Sequence, residues 1–119
     1  MSRQACFPKE ARLRKRPEFL RVQDRGEKVA NGPLVILALR SPSGSSRLGV
    51  TVSSKVGNAV TRVRIRRHVR EFYRQHRGEF PEGVDVVVIA RGSAKQASGA
   101  SLRAALQALL PHLNRRFPK

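Results

Sequence analysis

The sequence predicts an α+β domain in which helices pack on a small sheet, and three observations carry that expectation. Residues 32–40, 47–55 and 83–92 form runs that are continuously apolar or alternating, each bounded by turn residues, as strands require. Residues 58–77 and 101–113 instead place apolar side chains at helical spacing. The chain has 119 residues, enough to bury one core without metal or disulfide staples and too few for a comfortable second domain.

The elements follow in order. Residues 1–15 are basic and broken by Pro8, and read as a loosely ordered arm. RPEFLRVQDRG, residues 16–26, reads as a short helix: Pro17 suits a first turn, Glu18 favours a helix N-terminus, and Gly26 supplies the stop. GPLVILALR, residues 32–40, is a strand covered on at least one face, and SPSGSS, residues 41–46, is a turn by composition. In RLGVTVSSK, residues 47–55, Leu48, Val50 and Val52 point one way while Gly49, Thr51, Ser53 and Lys55 point the other. These two strands are expected to pair as a hairpin. Asn58 is a candidate cap for the next helix and Gly78 its stop; GVDVVVIARG, residues 83–92, is a third strand. SLRAALQALLPHL closes the domain as a helix with Leu102, Ala105, Leu106, Leu109 and Leu110 as its buried stripe. The domain is thus bounded at 16–113, with residues 114–119 as a basic tail.

Charge points to the partner. The formal net charge is +17, and 19 of the 25 basic residues are arginine, whose planar fork matches phosphate oxygens and stacks on bases. A polyanion, and nucleic acid in particular, is the expected ligand. An anionic membrane is the weaker alternative, since no amphipathic Trp/Lys belt and no apolar run near the roughly 20 residues of a membrane span occurs. Cys6 is a single thiol that forms no internal disulfide, and no signal peptide is visible, which together suggest a cytoplasmic protein.

The segment NAVTRVRIRRHVREFYRQHR, residues 58–77, has seven arginines and one acid. On a helical wheel with Arg62 at zero, Ile65, Val69, Phe72, Tyr73 and His76 fall within about 280° to 20°, and Arg66, Arg70, Arg74 and Arg67 at about 40° to 140°. One stripe packs on the sheet, and the adjacent flank displays guanidiniums that repel one another by a few tenths of a kcal/mol per pair. A solvated face normally mixes signs, so this flank is built for an anionic polymer. Catalysis by the chain itself finds little support. The eight acids are scattered, whereas metal-dependent nucleases cluster carboxylates. Ser53 and Ser54 have no nearby histidine, and His68 and His76 are more simply one RNA-facing and one packing residue. No metal-ligand spacing and no phosphate-cradling glycine motif is present. The absence of a G-x-x-G loop and of an RNP aromatic pattern argues against K-homology and RNA-recognition-motif folds.

VGNAVTRVRIRRHVRE, residues 56–71, resembles the signature of the bacterial ribonuclease P protein subunit, in which Gly-Asn-Ala-Val leads into an Arg-Asn-Arg motif on a basic helix. PEFLRVQDRG, RLGVTVSSKVG and DVVVIAR stand in the matching order, so the resemblance covers nearly all of residues 9–113. It implies an α-β-β-β-α-β-α sandwich on a mixed sheet with a left-handed β-α-β crossover, against the usual right-handed preference. It implies a catalytic RNA subunit and precursor tRNA as partners, removal of the tRNA 5′ leader as the reaction, and Mg²⁺ held by the RNA, with no cofactor bound by a protein motif, no membrane, and no obligate protein partner evident. Arg62, Arg64, Arg66, Arg67 and Arg70 match the basic helix motif. Phe19, Val35, Leu37, Thr51, Ser53 and Lys55 match a cleft for the single-stranded leader. Three positions depart from the pattern: Val63 replaces the motif's central Asn, Gln23 a second cleft aromatic, and Ser54 the first of two cleft lysines. A ribosomal or other structural RNA-binding protein of similar fold is the alternative reading.

Overall fold

A computed structural model describes residues 12–118. Helix α1 spans Arg16–Arg25 with Pro17 in its first turn. The Glu18 carboxylate accepts hydrogen bonds from the backbone N–H groups of Lys15 at 3.1 Å and Arg14 at 3.2 Å, satisfying donors ahead of the helix. The helix stops where Gly26 N–H reaches the Val22 carbonyl at 2.8 Å. A Cβ on Gly26 would lie 2.4 Å from that carbonyl oxygen and 2.8 Å from the Ala38 oxygen, so only glycine lets the chain turn this tightly against the sheet.

Four strands follow: β1 Glu27–Asn31, β2 Leu34–Arg40, β3 Arg47–Thr51 and β4 Val84–Ala90. Their order in the sheet is β1-β2-β4-β3; β1 and β2 are antiparallel, β2 and β4 antiparallel, β3 and β4 parallel. This corrects the expected pairing of 32–40 with 47–55. The hairpin is β1–β2, turned at Gly32 with φ +56°, and β4 lies between β2 and β3. Burial explains the choice. Val84–Val88 are buried without a break, on both faces, which demands a central position. The short, partly exposed β3 is suited to an edge, and it ends at Thr51 rather than Lys55. Strand β1 has one buried residue, Val29, and so no apolar pattern of its own.

Helix α2, Ala59–Gln75, begins at the predicted cap: Thr61 N–H donates to Asn58 Oδ1 at 2.9 Å. Helix α3, Gly99–Arg116, extends the expected 101–113 at both ends; Ser98 caps its start, accepting from Ser101 N–H at 3.0 Å. Both lie on one face of the sheet, where Ile65, Val69 and Phe72 of α2 and Leu102, Leu106 and Leu109 of α3 meet Leu34, Ile36, Val86 and Val88. Helix α1 covers the other face, where Val22 packs with Leu37, Val87 and Leu13 and half-buried Phe19, Leu39 and Ile89. The sheet is therefore sandwiched, and each fully buried aliphatic or aromatic side chain contributes about 1.5–3 kcal/mol. Connecting the parallel strands β3 and β4 through α2 places the arginine helix beside the open edge of the sheet.

Candidate nucleic-acid interface

The wheel is realised in α2. Ile65, Val69, Phe72 and Tyr73 are buried against the sheet. On the adjacent flank Arg66, Arg67, Arg70 and Arg74 line one shallow groove together with Val63 and with Arg12, which reaches in from the chain before α1. Arg74 is ion-paired with Glu71 one turn earlier. Arg66, Arg67 and Arg70 have no acidic partner among the described residues. Partial burial, and then the neighbouring charges of Arg12 and Arg66, push the Arg70 guanidinium below its ordinary pKa. It stays charged at neutral pH but is electrostatically uncomfortable, a state that a phosphate relieves. Arg64 points elsewhere, donating to the carbonyls of Ala97 at 3.1 Å and Lys95 at 3.2 Å. Arg62, at the foot of the helix, has a shielded Nε with no hydrogen-bond partner among the described residues.

A second groove runs between α1 and β3. Phe19, Leu20 and Gln23 form one wall, Val50 and Thr51 the other, and Arg14, Arg16 and Arg66 supply charge. Phe19 lies over Gly49, where a Cβ would come within 2.5 Å of its ring; glycine brings the ring down onto the strand. Of the residues matched to a leader cleft, Phe19 and Thr51 meet here. Val35 and Leu37 are on buried positions of β2, and Leu37 packs in the cluster under α1. Ser53 and Lys55 are exposed but follow the end of β3, outside the groove. Arg66 lines both grooves, so the two surfaces are continuous.

An ion cluster fixes α1 over this groove. Asp85 is fully buried in β4, and its carboxylate accepts from Arg21 at 2.5 Å and from Arg47 at 2.8 and 2.9 Å. Arg47 also donates to Glu18 at 2.9 Å. The Asp85 hydrogen bond, foremost, raises the Arg47 guanidinium above its ordinary pKa. The Glu18 carboxyl is held below its ordinary value, first by the Lys15 N–H and further by Arg14 and Arg47. The sequence gives Asp85 and Glu18 no hint of partnership, because their shared arginine is distant from both along the chain. Arg12, Arg14 and Arg16 were equally unassigned as groove residues; their clustering just before α1 was the available signal.

The two histidines of α2 separate. His76 stacks on Phe72 with centroids 4.0 Å apart. His68 lies on the outer side against Gly99, where a Cβ would meet its ring at 2.4 Å. Partial burial and the charges of Arg103, Arg64 and Arg67 lower its pKa below the ordinary histidine value. Among the described residues no three His, Cys, Asp or Glu side chains are grouped to hold a metal, and no helix is long and apolar enough to cross a membrane. Cys6 lies outside the described residues.

The arrangement has known counterparts. The family model for ribonuclease P matches residues 7–114. The chain belongs to the ribonuclease P protein family. The ribonuclease P protein component of Desulfatibacillum aliphaticivorans is 47% identical over 105 residues, covering 87% of each chain. The RNase P protein structure from Staphylococcus aureus superposes with a TM-score of 0.80 at 31% identity, covering 91% of this chain and 98% of that one. That from Thermotoga maritima gives 0.76 at 34% identity, covering 85% and 96%. The chain is accordingly a protein subunit of the ribonuclease P endoribonuclease, which acts in tRNA 5′-end maturation, and a structural RNA-binding role apart from cleavage is not favoured.

Proposed function

We propose that the arginine flank of α2 docks the catalytic RNA while the groove between α1 and β3 takes the single-stranded 5′ leader of precursor tRNA. One observation carries this reading: Arg66 belongs to both grooves, so an RNA seated on α2 leads directly to the Phe19 wall. Arg62, Arg66, Arg67 and Arg70 supply sequence-independent phosphate contacts. Phe19 offers a ring face on which any base stacks. Mg²⁺ belongs to the RNA in this scheme. Neither carboxylate of the ion cluster is available to a metal, since Asp85 and Glu18 are engaged by arginines. The protein's work is to offset phosphate repulsion between RNA and substrate and to orient the leader.

The test is cleavage of a precursor tRNA by purified protein, by the cognate catalytic RNA, and by both at limiting Mg²⁺. The protein alone should leave the substrate intact and the mixture should cut faster than the RNA alone. Robust cleavage by nuclease-free protein without RNA would overturn the assignment of roles.

A further inference from the structure

Only three large apolar side chains are exposed among the described residues: Leu20, Val60 and Val63. Leu20 belongs to the groove beside Phe19. Val60, 77% exposed, and Val63, 51% exposed, stand one turn apart on α2, and neither belongs to a hydrophobic core cluster. Valine is a poor choice for an exposed helical site, since its branched side chain loses rotamer freedom there. With Arg64 and Arg67 they form a stripe at i, i+3, i+4 and i+7, on the side of α2 opposite the buried stripe. These four residues, with Ala59 and His68, enclose a shallow apolar hollow.

The rim defines the occupant. It holds two arginines and no acid. Arg64 is held in place by two carbonyls, which leaves its charge uncancelled. A hydrophobic protein surface seated here would strip water from both guanidiniums and return no counter-charge, an expensive burial. A nucleotide supplies both halves: an apolar base face for the valine methyls and a phosphate for the rim. The base must be unpaired, because in a duplex the faces are stacked away. Val63 and Arg67 also line the arginine groove, so the hollow continues the surface assigned to the catalytic RNA.

We infer that Val60 and Val63 form a seat for one unpaired nucleotide of the RNA subunit, its base on the methyl groups and its phosphate on Arg64 and Arg67. The inference rests on the ribonuclease P reading. Aliphatic contact carries no hydrogen-bond code, so the seat recognises an unstacked base without selecting its identity.

The experiment titrates the cognate catalytic RNA against the full chain over a salt series. The double variant Val60→Ser/Val63→Ser should bind about tenfold more weakly at every salt concentration. Its log–log salt slope should equal that of the unsubstituted protein, because no phosphate contact is lost. Val63→Ile should bind as the unsubstituted protein does. If the double variant melts at a lower temperature, Val60→Ser alone serves, and a loss of a few-fold is then expected. Benzoylphenylalanine introduced at Val60→Bpa should cross-link to a nucleotide that is chemically reactive in the free RNA and protected in the complex. Unchanged affinity of the serine variants, or a cross-link to a paired nucleotide or a polypeptide, would overturn the seat while leaving the wider reading intact. Failure of the unsubstituted protein to bind the RNA at all would overturn both.

Discussion

Phe19 is at once a packing residue and a candidate binding residue, and its surroundings allow the two to be separated. It is half-buried, lying over Gly49 beside the small cluster under α1, and one part of its ring faces the groove. Phe19→Ala should therefore destabilise by less than a full core truncation, about 2 kcal/mol. It should also weaken holoenzyme binding to precursor tRNA by roughly 1 kcal/mol, about fivefold, and leave mature tRNA nearly unaffected. Binding of both tRNAs together with a melting curve checks this, and equal losses for the two ligands would count against stacking. Gly49→Ala is an independent probe. Its new methyl must displace the ring from a 2.5 Å approach, so leader affinity should fall although no leader-facing atom is removed. The same residues show what the sequence made legible. Alternation in 47–51 placed Thr51 and Gly49 on one face, as observed. That Gly49 is a seat for Phe19 follows from a contact between two elements, to which no local pattern points.

At the scale of elements, α2 was the most legible part, because a 3.6-residue period over five turns leaves little freedom in which face is buried. Replacing Arg66 and Arg70 with Ala should flatten the log K versus log salt slope for the catalytic RNA by about 1.4–1.8. An unchanged slope would mean that the flank faces solvent in the complex. Helix α1 is held by the Glu18–Arg47–Asp85–Arg21 cluster, and this was not legible: along the chain Asp85 is only one of eight scattered acids. Asp85→Asn should cost on the order of 3 kcal/mol, since it leaves buried polar groups and two arginines without their shared anion. Because the Glu18 carboxyl is held below its ordinary value of 4.5, its stabilising contribution is complete above that pH and is lost as pH falls through the lowered value. Glu18→Gln should accordingly flatten the acid limb of a stability–pH profile below about pH 4.5 and leave neutral pH dependence unchanged. The pairing of strands was misread for a related reason. Two apolar runs separated by a turn look like a hairpin, but β4, buried along its length, takes the centre and displaces β3 to the edge.

At the scale of the whole molecule the dominant fact is a net charge of +17 on one small domain whose described part has a radius of gyration of 13.4 Å. Self-repulsion of this size opposes the compact state, and it is concentrated where Arg66, Arg67 and Arg70 stand together, the one acid of their groove, Glu71, being paired with Arg74. The folded chain should therefore be stabilised by any ligand that binds it as a polyanion and binds the unfolded chain less. At a free RNA concentration of 100 Kd the expected gain is about 2.7 kcal/mol, a rise in melting temperature on the order of 10 °C. Sulfate should raise the melting temperature by a smaller amount, and an uncharged polymer hardly at all. The variant lacking Arg66 and Arg70 gives the decisive comparison. It has less repulsion to relieve, so without ligand it should melt at the same temperature or slightly higher, yet at the same total RNA concentration its gain should shrink as its affinity falls. A scanning melt of both proteins with and without RNA checks all of these together. If the variant gained as much as the parent protein, the stabilising anion would be bound somewhere other than the arginine flank.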